Sequence, residues 1–178
     1  QVVMPMADTA GLEVLAEALA AQPGVRHALV EQQGLGLAAG PGGRSAVAIR
    51  AVPGDLYERD EGFRRYFRLE AGSFDLGSAG SLLLGRELAG RLGVGVGDRL
   101  RLLTLRGGGR GLPLVSRFTV RGVFSTGYQE LDKIWVYVPL KAAGRLMGET
   151  GGSRFIGLKL DDPYRGLERS LGSLDLPA

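Results

Sequence analysis

The chain contains no cysteine. That removes disulfides, thiol nucleophiles and Cys-ligated zinc together. It suits either a reducing compartment or an exported protein that needs no covalent staples. Histidine occurs once, at His27 in "GVRHALV". With no H-x-x-x-H spacing and no G-x-S-x-G elbow, neither a zinc helix nor a triad is built, and His27 reads as a partly exposed strand residue. Lysine occurs only at Lys133, Lys141 and Lys159, so arginine carries the positive charge. The 22 basic against 19 acidic residues leave a net charge of +3, a small excess for the basic face on which nucleic-acid binders rely. The densest basic cluster, "GFRRYFRLE" (62–70), reads as an amphipathic turn. Phe63, Tyr66 and Phe67 would pack inward and Arg64, Arg65 and Arg68 stay in water. No apolar run approaches the roughly 18 to 20 residues of a membrane span. The opening "QVVMPM" has neither a charged leader nor a cleavage site. Beginning without Met and breaking off at "LGSLDLPA", the chain reads as a segment of something longer.

What the chain has in quantity is glycine, 30 residues, and glycine-rich stretches invite a phosphate-binding reading. The P-loop needs Lys-Ser or Lys-Thr after its last glycine, and none follows here. "GVGVGDR" (93–99) leads into a strand rather than a helix, and "GGGRG" (107–111) lies between strands, so neither is a dinucleotide loop. Carboxylates are scattered. Glu130 and Asp132 alternate in "YQELDK" and could face one way as an acid/base pair, but the stretch reads as a solvated loop. Asp161-Asp162 reads as a helix cap. Nothing assembles nucleophile, base and orienting group. The chain therefore reads as a binding or force-transmitting module rather than an enzyme, with no cofactor.

Hydrophobic residues make up 44% of the chain and charged residues 23%, a globular composition. "QVVMPM" reads as a strand, and Asp8 or Thr9 caps a helix with Leu12, Leu15 and Leu19 on one stripe. "VRHALVEQQGLGLAAG" reads as a strand broken by its glycines, "PGGR" as a turn and "SAVAIRAV" as a strand. Residues 55–78 have no clean period. Leu82–Leu84 leads into the helix "GRELAGRLG", with Leu88 and Leu92 on one face and Gly93 as C-cap. Strands follow at 99–105, 117–123, "IWVYVPL" and "RFIGLKL". "STGYQELDK" reads as a polar loop, "PLKAAGRLMG" as a short helix and "DDPYRGLERSL" as a terminal one. The class is α+β.

The stretch "LTLRGGGRGLPLVSRFTV" (103–120) is the anomaly. A tight hairpin needs two to five loop residues. Here about ten intervene, ending in Leu112, Pro113, Leu114 and Val115, apolar where a solvated loop is polar. Either this tip stands out as a desolvated anchor rimmed by arginines, or it folds back onto its own domain.

Three ordered blocks, "SLLLGRELAGRLGVGVGDRLRLL" (81–103), "FTVRGVFSTGYQELDKIWVYVPLKAAGRLMG" (118–148) and "FIGLKLDDP" (155–163), resemble the extracytoplasmic domain of FtsX/MacB-type ABC transporter permeases, with the LolC/LolE lipoprotein-releasing branch nearest. The resemblance implies a MacB-like periplasmic core domain. A Porter-like lobe of β-α-β units would span 1–50 and 154–178. A mixed α/β Sabre-like lobe would span 51–153 and carry a hook hairpin at 104–117. One transmembrane helix would precede the domain and three would follow, with the domain on the periplasmic side of the inner membrane. The resemblance further implies release of lipoprotein cargo to a periplasmic, LolA-like carrier captured by the hook. The hook residues would be Arg110, Leu112 and Pro113 on the motif, with Leu114 and Val115 added for their apolar character. The other implied partners are a cytoplasmic ATPase subunit, which alone uses ATP, and a second permease subunit. Within the family, efflux mechanotransmission and control of cell-wall hydrolases are the alternatives. Outside it, a soluble enzyme or a nucleic-acid-binding domain is the remaining one.

Overall fold

The computed structural model describes residues 9–105, 113–148 and 152–161. The chain divides into two compact units, Gln1–Glu31 with Arg154–Ala178 and Gln32–Ser153. In the first unit, helix α1 (Thr9–Ala20) buries Leu12, Ala16 and Leu19 while Leu15 is half-buried. Ala16 thus completes the expected leucine stripe. Strand β1 (Val25–Gly40) begins here and has β8 (Ser153–Leu160) as its neighbour. Val25, Ala28 and Val30 on β1 and Phe155 and Ile156 on β8 are buried. The Asp161 amide donates to the Gly24 carbonyl at 2.9 Å, and the Asp161 carboxylate pairs with Arg26. Asp161 therefore serves this strand junction. Asp162, the expected terminal helix and the opening "QVVMPM" lie outside the described residues.

The second unit takes the rest of β1 together with β2 (Gly43–Val52), β4 (Ser81–Gly85), β5 (Arg99–Leu105), β6 (Pro113–Ser125) and β7 (Trp135–Pro139). β1 pairs antiparallel with β2 around the Pro41-Gly42 turn, and β2 pairs parallel with β7. β7 pairs antiparallel with β4, β4 parallel with β6, and β6 antiparallel with β5. β5 returns to β1 over Leu37–Ala39, closing a six-stranded ring. Alternate residues of each strand share one core: Val47, Ile49 and Ala51; Leu82 and Leu84; Leu100 and Leu102; Phe118 and Val120; Val136 and Val138. Period-two alternation is what sends such a set to one face. Helix α4 (Arg86–Leu92) adds Leu88, Ala89 and Leu92 to this core, and α6 (Ala143–Met147) adds Leu146 and Met147. Gly93 ends α4 at φ 64°, the left-handed C-cap that its position predicts.

Four expectations change. First, β1 is one continuous strand across Gly34 and Gly36. Its glycines are there for close approach: a Cβ on Gly36 would sit 2.9 Å from the Leu103 carbonyl oxygen, and one on Gly34 would overlap Met147 Sδ. Second, residues 55–78 hold α2 (Leu56–Arg59), α3 (Glu61–Tyr66) and β3 (Arg68–Gly72), which pairs with β6. They are anchored by aromatics. Phe67 stacks on Phe63 and Phe124 at 4.6 and 4.4 Å and meets Tyr137 edge-on. Phe67 is buried, Phe63 is half-buried, and Tyr66 is 72% exposed rather than packed inward. Third, residues 32–50 group with the middle of the chain, because β2 and this part of β1 complete the ring. Fourth, the strand expected at 117–123 begins at Pro113, leaving 106–112 between the paired residues Leu105 and Pro113.

Candidate functional site

The β5–β6 ladder explains why the apolar stretch after the glycines is not loop. Pro113 starts the strand, where its missing N–H costs no ladder bond, and "PLVSRFTV" continues the period-two pattern. Cα partners run Leu105↔Pro113, Thr104↔Leu114, Leu103↔Val115, Leu102↔Ser116, Arg101↔Arg117, Leu100↔Phe118 and Arg99↔Thr119. One face is internal, with Leu100, Leu102, Thr104, Ser116 and Phe118 all buried. The other face is exposed and graded. It carries Leu105 with Pro113 and Leu103 with Val115 at the far end, then Arg101 opposite Arg117, then Arg99. Leu105 and Val115 are 52% and 53% exposed.

Of the expected hook residues, Pro113 and Val115 share this outward face. Leu114 points to the other face, opposite Thr104, and is half-buried. Arg110 and Leu112 lie outside the described residues. Leu103, Leu105, Arg101 and Arg117 complete the face and were missed. The signal was available: counting the alternation of "RLRLLTL" against "PLVSRFTV" pairs them. Among the described residues Arg99, Arg101 and Arg117 have no carboxylate partner, whereas Arg59, Arg65, Arg86 and Arg121 each have one. Two like charges directly opposite on a ladder are unfavourable.

Beside this hairpin the seam of the ring opens. β1 meets β5 only at Leu37–Ala39. Past that point Gly34–Gly36 and Leu103–Leu105 border a groove of about 890 Å³, which Ile49, Trp135, Met147 and Pro113 also line. Among the described residues Arg50 is the one charged residue of the lining; its guanidinium lies 4.4 Å from the Trp135 ring centre and donates to Tyr137 Oη at 3.2 Å.

Elsewhere the residues considered for chemistry do not converge. Residues 129–132 form a short helix, α5 (Gln129–Asp132), inside the expected loop. Its two carboxylates point apart. Glu130 is in water, and its hydrogen bond and charge pairing with Lys133 hold its carboxyl below the usual range. Asp132 is 1% exposed and accepts from Ser125 Oγ, Thr126 N and Thr126 Oγ1 at 2.7, 2.8 and 2.8 Å. This carboxylate holds the corner between β6 and β7 together. His27 is half-buried on β1. No group of three or more His, Asp or Glu among the described residues is arranged for a metal ion. In the basic cluster, Arg64 donates to the Tyr57 and Glu58 carbonyls and Arg65 pairs with Glu61. No described helix is long and apolar enough to cross a membrane.

A model of the MacB-like periplasmic core domain matches residues 2–165. The lipoprotein-releasing system transmembrane proteins LolC of two Xylella fastidiosa strains, Temecula1 and 9a5c, are each 38% identical over 103 residues, covering 53% of this chain and 24% of their own length. The chain thus spans about a quarter of the curated relatives it matches. The extracellular domain of the noncanonical ABC-type transporter YknZ from Gram-positive bacteria superposes with a TM-score of 0.64 at 14% identity, over 94% of this chain and 85% of that one. The periplasmic region of MacB from Actinobacillus actinomycetemcomitans gives 0.58 at 15% identity, over 88% and 68%. These two likenesses establish the mixed α/β fold.

Proposed function

Because the chain belongs to the MacB-like periplasmic core domain family, the domain that ABC permeases of the MacB, FtsX and LolC type place outside the membrane, we propose that it serves lipoprotein release. In this reading it is the non-enzymatic periplasmic part of an inner-membrane permease. A separate cytoplasmic ATPase supplies the energy and a second permease subunit completes the transporter. The domain passes lipid-modified cargo to a soluble, LolA-like carrier. In this reading the Porter-like lobe, expected at 1–50 with 154–178, is assigned to the unit Gln1–Glu31/Arg154–Ala178, and the Sabre-like lobe, expected at 51–153, to Gln32–Ser153. The 38% identity to LolC supports the release branch. The YknZ and MacB likenesses, at 14% and 15% identity, carry no argument for efflux.

The observation that carries the proposal is the outward face of the β5–β6 hairpin. Leu105, Pro113 and Val115 give a desolvatable anchor, and the exposed Arg101 and Arg117 give a cationic rim. That division between apolar centre and polar surround is what docking surfaces use. Arg110 and Leu112 belong to the hook in this reading, whereas Leu114, on the other face of β6, supports the hairpin from within. The test is capture of the cognate carrier by the immobilised chain. Val115→Glu and Pro113→Asp should each reduce capture by at least about tenfold with an unchanged thermal midpoint, since both side chains face water. Undiminished capture by both variants rejects the hook.

A further inference from the structure

We propose that the groove at the β1–β5 seam receives a hydrocarbon chain of the cargo's lipid anchor; the inference rests on the lipoprotein-release reading above. The lining decides the chemistry. Leu35, Leu37, Leu103, Leu105 and Met147 are aliphatic or thioether, and Trp135 supplies an aromatic wall. Gly34 and Gly36 contribute backbone to the lining, with Met147 and the Leu103 carbonyl packed where their side chains would stand. Two of the polar side chains are already engaged with the protein. Arg50 is stacked on Trp135 and bonded to Tyr137 Oη, and the Thr104 hydroxyl donates to the Leu146 carbonyl. Among the described lining residues a charged or sugar headgroup finds no unengaged ionic group, whereas an alkyl chain finds a surface of its own kind. The volume, about 890 Å³, lies within the range of small-molecule sites.

Two further features favour occupation. Leu35 is 81% exposed at the rim and Leu105 faces it across the seam. Both leave apolar surface in water that an occupant would cover. The groove is also continuous with the proposed carrier face, because Leu105 and Pro113 belong to both. A carrier seated on the hairpin would therefore stand at the groove's mouth, and an acyl chain could pass between them with little exposure to water.

The chain is titrated with a fluorescent triacylated Cys-Ser-Lys peptide and with the same peptide lacking acyl groups. Saturable binding of the acylated peptide alone is expected. Leu35→Asp and Leu105→Asp, each a buried-charge penalty once the groove is filled, should weaken it by about tenfold while the thermal midpoint stays put. Absence of saturable binding overturns the proposal, as does equal binding by wild type and Leu35→Asp. So does binding to phosphatidylethanolamine/phosphatidylglycerol vesicles that Leu35→Asp abolishes without any uptake of the acylated peptide, since the patch is then a bilayer contact. Carrier capture measured in parallel separates the two readings. If Leu35→Asp loses the acylated peptide but keeps the carrier, the groove and the hook are independent sites, as proposed. If wild type captures no carrier yet binds the acylated peptide, the hand-over reading fails and the lipid site stands.

Discussion

Asp132 brings a carboxylate into a place closed to water, and three donors from Ser125 and Thr126 meet it there. Removing the acceptor leaves buried donors without partners. Asp132→Ala should cost about 3 kcal/mol, the upper end for a lost hydrogen-bonded charge, read as a lower urea midpoint at unchanged slope. Gly93 works through its backbone instead. At φ 64° a side chain crowds the following carbonyl, so Gly93→Ala should cost about 1 kcal/mol. The two residues differ in how readable they were. Gly93 follows an amphipathic helix and announces itself as a C-cap. Asp132 sits in "YQELDK", where nothing local distinguishes a buried acceptor from a solvated one. Its burial comes from Ser125 and Thr126 at the end of β6, a tertiary fact.

At the scale of elements, the β5–β6 hairpin combines stability and recognition in opposition. Arg101 directly opposite Arg117 is a repulsive pair that a sheet selected for stability alone would avoid. Arg101→Thr should raise stability by about 0.5 kcal/mol, as a higher thermal midpoint, and at the same time lower carrier capture. Capture by the unaltered chain should also weaken with added salt, because these arginines are exposed. Most elements were legible. α4, β5, β7, β8 and the later half of β6 follow from helical or strand-like patterns, the Pro41-Gly42 turn follows from its residues, and β4 read only as a short apolar piece because every residue in it is buried. The extension of β6 back to Pro113 was obscured by the proline and the glycines before it. The sequence "GLGL" in β1 reads as a break until Leu103 and Met147 are seen packed on it. Residues 55–78 lacked a period because aromatic packing, rather than one helical face, holds them.

For the second unit as a whole, ring closure is the governing fact, and no periodicity could have revealed it. It depends on which strands meet, and β1 meets β5 across more than sixty residues of chain. The closure is also uneven: three residue pairs join β1 to β5, against seven joining β5 to β6. Exchange of amide hydrogens should therefore be faster for the β1–β5 seam than for the β5–β6 ladder, since short ladders open with less loss. Uniform protection around the ring would contradict this. Filling the adjoining groove should slow exchange at the seam selectively.

The ladder that pairs Leu105 with Pro113 has a consequence for evolution. It pins both ends of segment 106–112 independently of what that segment contains. Doubling the length of a connection between two fixed ends costs only about 0.6 kcal/mol, a small fraction of a domain's stability. Insertions and rewritings can therefore accumulate there while the ring is inherited unchanged. Partner choice in such a lineage can drift quickly at the tip of the hairpin, on a scaffold that selection for folding keeps nearly still.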